Sequence, residues 1–525
     1  MDISTRRCAE GNGLMRISGA SLARVDRNST LYKRLVGVHE QIAQKDPSTW
    51  GPEAATEAAV RLNWVDLPES SRTLLPEIDA LTAKFRHIPT IVLAGMGGSS
   101  LAPEVIAKSF RRDLFILDST DPNYLAHAIN GDLASTLVVV SSKSGSTIET
   151  SSARAAFAAA FTKAGLEIAE HMVVVTDPDS PLDRDARAQG ISVTTADPHV
   201  GGRFSALSAF GLVPSALAGV DVSLLLDAAS ECKKNFLADS AAIIDVAWLL
   251  TTQTEQYLAF IDSHSGMPGL SDWIEQLVAE STGKSGVGRL PIAAEDLEGA
   301  AVGGAFTISF SEMGADLTVE GELGEHFIFW EWLTALVGAA LQIDPFNQPN
   351  VTEAKNATST LLTEWGGQLP VFTPEHSEKS VEIFGDGNSV IGSLQNFVAS
   401  VVDGGYISIH AYLDRRDDVR LEELRKVLSL KTGHPVTFGW GPRFLHSTGQ
   451  FHKGGQQNGA FLQITGEASS DFAIPGSNFG FKTLVMAQAL GDNRALGQRK
   501  FPLLRLHLQD RSAGITQILE AARSL

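Results

Sequence analysis

The sequence predicts an α/β protein built on a doubly wound parallel sheet. Three observations indicate this class: apolar runs alternate with helical patterns over residues 85–220, polar or glycine-rich turns follow two of the runs, and 43% of the residues are hydrophobic. Strands buried on both faces are typical of parallel sheets, because their crossover helices cover both faces. The candidate strands are PTIVLAG, DLFILDS, TLVVVSS, HMVVVTD and GISVTTA.

The order of patterns along the 525 residues divides the chain into three predicted units. Residues 1–80 are predicted to form an N-terminal helical extension, residues 81–240 a first sheet domain, and residues 241–525 a second sheet domain with a C-terminal extension. A helical pattern predominates over residues 223–278. Further strands are predicted near Thr307 and over residues 405–413, 436–438 and 460–465.

Charge and composition exclude several classes of protein. A net charge of −19 argues against nucleic acid and anionic membranes as partners. The sequence has no apolar run long enough to span a membrane and no apolar signal core near its N-terminus, which favours a cytoplasmic protein. Two cysteines are too few for a disulfide framework, and no Cys/His spacing indicates zinc. We therefore expect neither a metal nor a cofactor.

The first candidate site is the turn SSKSGST at residues 141–147, between the strand TLVVVS and an alanine-rich helix. Unpaired backbone N–H groups at a helix start, together with hydroxyl donors, suit a phosphate ester. The donors are Ser142, Ser144, Ser146 and Thr147, and Lys143 can add a positive charge. The alternative is a polar loop whose hydroxyl residue only caps the helix.

The second candidate site is the turn MGGSS at residues 96–100, which also follows a buried strand. Its glycines, Gly97 and Gly98, allow a ligand to approach the backbone closely. The turn is not a dinucleotide-binding fingerprint, because Ser100 stands where the third glycine would be required. Two such turns, at the carboxyl edge of one parallel sheet, predict a sugar-phosphate pocket.

Five segments together carry a family resemblance. They are MGGSS, SSKSGSTIETS, GGRFSALSAFGLVPSALAG, ESTGKSG and PFNQPNVTEAK. Over residues 85–465 the chain resembles the glucose-6-phosphate isomerase family, and most strongly the isomerase half of bacterial transaldolase/glucose-6-phosphate isomerase fusions. No transaldolase half is visible. The resemblance implies two doubly wound domains of the sugar isomerase (SIS) type and a sugar-phosphate substrate.

Glu280 ends a predicted helix, LSDWIEQLVAE, whose apolar arc includes Trp273 and Leu277. A carboxylate at the rim of such an arc has its charged form disfavoured, as a general base near neutral pH requires. The resemblance implies that Glu280 moves the proton between C2 and C1. A nucleotide-binding P-loop is excluded, because Val278 stands where that motif needs glycine.

Lys355 follows a helix start in PFNQPNVTEAK and shares a face with Val351 and Thr358. The alternative for such a lysine is a buried stem with a solvated head. The resemblance implies that Lys355 lies near the sugar ring and that Gln348 lies at the phosphate. Arg203 follows two glycines in GGRF, and its guanidinium suits a developing enediolate charge. A structural ion pair is its alternative.

The ring-opening histidine departs from the family pattern. The usual interval holds only His326, whereas FLHSTGQFHKGG carries the local likeness further along the chain. We therefore predict His446 for this role, with His326 and His452 as alternatives. In the usual dimer this histidine comes from the neighbouring subunit. A homodimer is therefore the expectation, and a monomer that completes its own site is the alternative.

The predicted reaction is the metal-free, reversible isomerisation of glucose 6-phosphate to fructose 6-phosphate through a cis-enediol. Two other classes stay open: a non-catalytic sugar-phosphate sensor, and a serine acyl enzyme suggested by Ser230 and Lys233 with a K-T-G at residues 431–433. The predicted catalytic residues are Glu280, His446, Lys355 and Arg203. The predicted substrate-binding residues are Gly98, Ser99, Ser142, Lys143, Ser144, Thr147 and Gln348.

Overall fold

A computed structural model describes residues 5–7, 15–311 and 314–525. The strands in chain order are β1 Thr5–Arg7, β2 Arg16–Ser18, β3 Thr90–Gly95, β4 Phe115–Leu117, β5 Thr136–Ser141, β6 Met172–Thr176, β7 Ser192–Thr195, β8 Tyr257–Ile261, β9 Leu290–Ala293, β10 Phe306–Ser309, β11 Leu317–Glu320, β12 His376–Glu378, β13 Val381–Phe384, β14 Tyr406–Tyr412, β15 Val436–Trp440, β16 Gly459–Gly466 and β17 Leu503–Leu508.

The helices of the first half are α1 Thr30–Ala43, α2 Ala55–Ala58, α3 Leu67–Ser70, α4 Leu75–Phe85, α5 Leu101–Ser109, α6 Pro122–Ile129, α7 Ile148–Lys163, α8 Ile168–His171, α9 Pro181–Ala188, α10 Ala209–Leu217, α11 Ser223–Ala238 and α12 Ala241–Thr252. Those of the second half are α13 Leu270–Thr282, α14 Leu297–Ala300, α15 Leu323–Leu341, α16 Val351–Glu364, α17 Val390–Ala399, α18 Glu423–Thr432, α19 Gly449–Gly454, α20 Phe481–Gly497 and α21 Arg511–Arg523.

The first sheet has the strand order β4-β3-β5-β6-β7, and its strands are all parallel. Every residue of β5 is buried, as the continuous apolar run predicted. The chain order reverses between β3 and β5, so the turns after these two strands flank the switch point of the sheet. A crevice opens at such a point, which is where open α/β sheets bind their ligands.

The second and third sheets repeat this arrangement. In the second sheet β11, β10, β8 and β9 run parallel, and β2 and β1 extend it in antiparallel pairing. In the third sheet β17, β16, β14 and β15 run parallel, and β13 and β12 extend it in the same way. The doubly wound α/β class is therefore confirmed.

The range 241–525, predicted as one domain with an extension, includes strands of two sheets. The division of the chain into domains stays a prediction. Residues 15–80 contain helices, as predicted, and also the strand β2. They pack against the second sheet's helices: the Tyr32 hydroxyl donates to Asp245 at 3.0 Å, and Trp50 donates to the Ala335 carbonyl at 3.0 Å.

One prediction about secondary structure is wrong. The helical pattern over residues 223–278 is interrupted by β8, which is buried along its whole length. Its apolar run YLAFI pairs with β10 on one side and β9 on the other, so hydrogen bonds from distant segments decide its conformation. Among the described residues, no helix combines the length and apolar character that a membrane crossing requires.

Candidate active site

All eleven predicted site residues line one cleft of about 700 Å³. They are Gly98, Ser99, Ser142, Lys143, Ser144, Thr147, Arg203, Glu280, Gln348, Lys355 and His446. The turns after β3 and β5 form one wall, the segment with Arg203 and the end of α13 lie at the base, and the turn after β15 brings His446. The roles of these residues stay predictions.

The glycines at 97 and 98 allow two loops to meet at the base of the cleft. Gly97 has φ +54°, a backbone conformation that favours glycine. A β-carbon at position 98 would stand 1.9 Å from the Gly202 carbonyl oxygen. The MGGSS turn therefore packs directly on the backbone of the GGRF segment.

The hydroxyl turn precedes α7, a helix of 16 residues. Thr147 occupies the N-cap position, and its side chain makes no capping hydrogen bond. The Ser142 hydroxyl accepts from the Gly145 N–H at 3.2 Å, and Ser144 contacts Ser146 at 3.0 Å. The capping alternative is therefore not seen for Thr147, and the first N–H groups of α7 remain available for an anion.

Lys143 contributes less free charge to this turn than its position suggests. Its ammonium lies 2.8 Å from Asp177 and donates to the Pro198 carbonyl at 3.1 Å. Burial lowers the pKa of Lys143, and the Asp177 carboxylate opposes that shift.

Arg203 and Glu280 form the most buried charged pair in the cleft, with 3.7 Å between Nη2 and Oε1. The same nitrogen donates to the Phe346 carbonyl at 2.9 Å and to Gln348 Oε1 at 2.7 Å, so Gln348 contacts the arginine directly. Arg203 Nη1 is buried and makes no hydrogen bond to the residues that the structure describes. Burial lowers the pKa of Arg203, and Glu280 opposes that shift.

An aromatic cluster fixes this region from below. The Phe204 ring packs on Trp64 and on Phe346, with centroids 5.1 and 5.5 Å away. Phe346 also meets Trp50 edge to face at 4.8 Å. The cluster joins the N-terminal extension to the segments that carry Arg203 and Gln348, which explains why these segments hold their positions.

Gln276 links the base of the cleft to the histidine. It lies one turn before Glu280 on α13, and its amide donates to Glu280 Oε2 at 3.1 Å and to the His446 carbonyl at 2.8 Å. Glu280 itself is only 7% exposed. The Gln276 amide therefore bridges the Glu280 carboxylate and the turn that carries the His446 imidazole.

His446 ends the short turn Arg443–His446, and its Nε2 lies 3.0 Å from Glu149 Oε1. Glu149 sits in the first turn of α7 and also accepts from Gln488 at 2.8 Å. Burial opposes ionisation of Glu149, but His446 outweighs it, and the pKa of this carboxyl lies below its usual value. The carboxylate thus orients the ring.

The alternative histidines lie away from the cleft. His326 is fully buried in α15, Trp330 donates to its Nδ1 at 3.3 Å, and burial lowers its pKa to about 3. His452 is buried beside Tyr406 and Ser408, at 2.9 and 3.2 Å. Both histidines belong to packed interior regions.

The residues that suggested an acyl enzyme are also occupied elsewhere. Ser230 donates to the Pro68 carbonyl at 3.3 Å, and Lys233 is paired with Asp66 and Glu69. Neither side chain lines the cleft.

Lys355 lies on the exposed side of α16, between the cleft and a neighbouring cavity of about 270 Å³ that His446 and Glu149 also line. Within the described part of the chain, its ammonium makes no ion pair. Thr358 and Leu362, predicted on the same face, are buried. Lys355 therefore has a buried flank and a cationic head at the cleft mouth.

Among the residues of the cleft and its neighbouring cavity that sequence reasoning missed are Glu149, Gln276, Glu57 and Arg61. Glu149 could have been predicted from the sequence. It lies in the first turn of the helix that follows the hydroxyl-rich loop, so it faces the same edge of the sheet as that loop. Gln276 lies four residues before Glu280, on the same helix face. Glu57 and Arg61 belong to the N-terminal extension, and nothing in their local sequence links them to the other motifs.

The sequence and fold of this chain are similar to those of three known proteins. A glucose-6-phosphate isomerase of Geobacter sulfurreducens is 28% identical over 418 residues, which are 74% of this chain and 75% of the relative. One from Thermus thermophilus is 34% identical over 238 residues, 43% of this chain and 57% of the relative. The crystal structure of a glucose-6-phosphate isomerase from Chlamydia trachomatis superimposes with a TM-score of 0.54 at 20% identity, covering 68% of this chain and 89% of that one, which supports the fold.

Doubly wound sheets with a hydroxyl-rich turn beside a switch point define an α/β protein with a crevice at the carboxyl edge of its first sheet. Residues 72–288 match the family described as "Phosphoglucose isomerase". Over that segment the chain is similar to this family, as its motifs predicted. Its likeness to the isomerase half of transaldolase fusions stays a prediction.

Proposed function

We propose that this protein interconverts glucose 6-phosphate and fructose 6-phosphate by acid/base proton transfer. The observation that carries the proposal is the buried Arg203–Glu280 pair, 3.7 Å apart, in a cleft whose wall is an anion-binding turn. A base and a cation at one point suit a reaction in which proton removal creates negative charge on neighbouring oxygens.

The phosphate is held by Ser142, Ser144, Thr147 and the N-terminal N–H groups of α7, and Ser99 and Gly98 approach from the neighbouring turn. These groups supply neutral donors and a partial positive charge in a chain of net charge −19. Long-range repulsion is screened beyond about 8 Å, so local donors dominate binding. Lys143 and Gln348 support this site through their contacts with Asp177 and Arg203.

Ring opening is assigned to His446, with Lys355 nearby. The imidazole takes the proton of the anomeric hydroxyl and gives a proton to the ring oxygen as the ring C–O bond breaks. Glu149, at 3.0 Å, holds the imidazole in the required orientation. The product of this step is the open-chain sugar phosphate.

Isomerisation is assigned to Glu280, which takes the proton from C2 and returns it to C1 through a cis-enediol. In the reverse reaction Glu280 takes the proton from C1 and returns it to C2. Arg203 faces the oxygens on which charge develops, and its unpaired buried Nη1 is available to them. Because both groups are buried, the attraction is stronger than it would be in water.

The assignment uses residues of one chain only. We therefore infer that each chain completes its own site, so a monomer is sufficient for activity. We further infer a cytoplasmic enzyme that acts on a dissolved sugar phosphate, and the strongly negative charge argues against a nucleic-acid or anionic-membrane partner.

The test is a coupled assay for glucose 6-phosphate formed from fructose 6-phosphate, with chelator and no added metal. Glu280→Gln should lower turnover about 10²- to 10⁴-fold, because it removes a positioned general base. Substrate binding, followed by calorimetry, should persist in this variant. Unchanged turnover would remove Glu280 from the role.

Glu275→Gln is the matched control. Glu275 lies on the same helix, is also buried, and does not line the cleft. Burial raises its pKa well above the usual value, which disfavours its charged form, and activity should be kept because the side chain lies outside the cleft. Binding of fructose 6-phosphate by the unmodified protein without any conversion would instead favour the non-catalytic sensor.

A further inference from the structure

Four buried charges join the first sheet to the third beside the cleft. Glu104 lies on α5, Asp118 follows β4, Arg415 follows β14, and Arg443 begins the turn after β15. Their side chains are between 1% and 15% exposed. We call this group the ionic clasp.

Arg443 and Arg415 each contact both acids, and Arg443 is the one that shares a helical turn with His446. Its Nη1 lies 2.6 Å from Glu104 Oε2 and 3.1 Å from Asp118 Oδ2. Arg415 contacts the other oxygen of each acid, at 2.9 Å for Glu104 and 3.4 Å for Asp118. Burial opposes ionisation of Glu104, yet the two arginines hold the pKa of this carboxyl well below its usual range.

Both ends of the clasp lead directly into the cleft. Glu104 lies in the first turn of α5, immediately after the MGGSS turn. Arg443 and His446 are the first and last residues of one short helical turn. The contact between Glu104 and Arg443 therefore ties the turn of the imidazole to the wall of the cleft, although the two residues are 339 positions apart in the chain.

Stability alone does not account for these charges. Taking ions out of water costs free energy that their attraction roughly repays, so a buried ion pair is weak evidence for stabilisation. Its geometric demand is stricter than that of an apolar contact, because Arg443 Nη1 must lie within reach of two carboxylates at once. Such a contact specifies one position of the turn.

We propose that Arg443 is a positioning residue for ring opening, which holds His446 at the distance the proton transfer requires. The inference rests on the proposed isomerase function. In the step that it serves, the anomeric O–H bond breaks, the ring C–O bond breaks and the ring oxygen gains a proton. Arg443 touches no reacting atom and acts through His446.

The test compares fructose 6-phosphate with its 5-deoxy analogue, which lacks the ring oxygen and stays open-chain. Arg443→Met should lower the kcat/KM value for fructose 6-phosphate about 10- to 100-fold, because a displacement of about 1 Å costs up to 10²-fold. Turnover of the open-chain analogue should change less than about twofold by the same reasoning, since it needs no ring opening. His446→Gln should show the same contrast.

The matched control is Arg425→Met. Arg425 lies on α18 beside the third sheet and is also buried, and it pairs with Glu295 outside the cleft. This substitution should leave the ratio of the kcat/KM values for the two substrates unchanged. Arg443→Lys keeps the positive charge but lacks the guanidinium group, so its ratio of kcat/KM values should lie between those of the unmodified protein and Arg443→Met. This variant keeps the test decisive if Arg443→Met fails to fold.

Equal losses on both substrates, or no loss on either, would overturn the positioning role. Failure of the unmodified protein to isomerise either substrate would overturn the proposed function instead. The two failures are therefore distinguishable in one set of assays.

Discussion

At the scale of single residues, the candidate chemistry depends on partners that are distant in sequence. His446 meets Glu149, which stands 297 residues earlier, and Arg203 meets Gln348, 145 residues later. Each contact supplies an orientation that an isolated side chain lacks. The motifs name the candidate reactive groups, and these partners hold them in position.

Replacement of Glu149 by glutamine tests this dependence through pH. The folded-state pKa of Glu149 lies below its usual value, so its contribution to stability is present above the ordinary glutamate pKa of about 4.3 and is lost as pH falls through the folded value. Glu149→Gln should therefore cost about 1–3 kcal/mol near neutral pH, and the difference should shrink in acid.

Denaturant unfolding of both proteins between pH 7 and about pH 3.5, on either side of the ordinary carboxyl pKa, is the measurement. His446→Gln in the same series should remove the pH-dependent part that belongs to this pair. A stability difference that does not vary with pH would contradict the assigned ionisation of Glu149.

At the scale of elements, the cleft depends on how closely two turns approach. The MGGSS turn meets the GGRF segment backbone to backbone, because position 98 carries no side chain. The alanine-rich helix α7 begins where the hydroxyl turn ends, so its first N–H groups point at the same crevice. Local sequence predicted both polar turns, and the tertiary structure brings them to one cleft together with the GGRF segment.

Gly98→Ala should damage both stability and activity. Its β-carbon would overlap the Gly202 carbonyl, and relief of such overpacking costs typically about 1–3 kcal/mol. Catalytic efficiency should also fall by about 10-fold or more, since about 1 Å of movement in the cleft wall is sufficient for that loss.

Gly37→Ala is the matched glycine control. Gly37 lies inside α1, where an added β-carbon meets no atom within 4 Å. This variant should be more stable by about 0.5–1 kcal/mol, with unchanged activity, because alanine has the higher helix propensity. Thermal unfolding and the coupled assay check both variants, and equal behaviour of the two would argue against the close approach at position 98.

At the scale of the whole molecule, the cleft combines segments attached to all three sheets. The first sheet contributes the hydroxyl turn, α13 after β8 contributes Glu280, and the turn after β15 contributes His446. His446 thus reaches the cleft from the same chain, whereas the family resemblance implied a histidine from a neighbouring subunit.

Co-expression of Glu280→Gln and His446→Gln chains tests this arrangement. If every chain completes its own site, the mixture should show no more activity than the two variants measured separately. The coupled assay on the co-purified proteins is the measurement, and unmodified protein mixed with either variant is the control. Recovered activity would show that sites are shared between subunits.

Local pattern predicted a large part of the first sheet. Runs such as TLVVVSS and HMVVVTD became β5 and β6, because strands buried on both faces are apolar throughout. The strand β8 was missed inside a helical pattern, and β17, whose sequence is LLRLHL, was not predicted. Their conformation depends on neighbours from distant parts of the chain, which a local window does not contain.

The sequence by itself determined the doubly wound class and the two polar turns, which follow from short-range physics: burial pattern and turn chemistry. Through its family resemblance it also indicated Glu280, His446 and Arg203 as the catalytic groups, and their roles stay predictions. Only the tertiary structure decided that Glu149 partners His446, that Arg61 and Glu57 reach the cleft, and that Arg443 is anchored to Glu104. Such pairings arise from the packing of whole sheets, and no spacing along the chain encodes them.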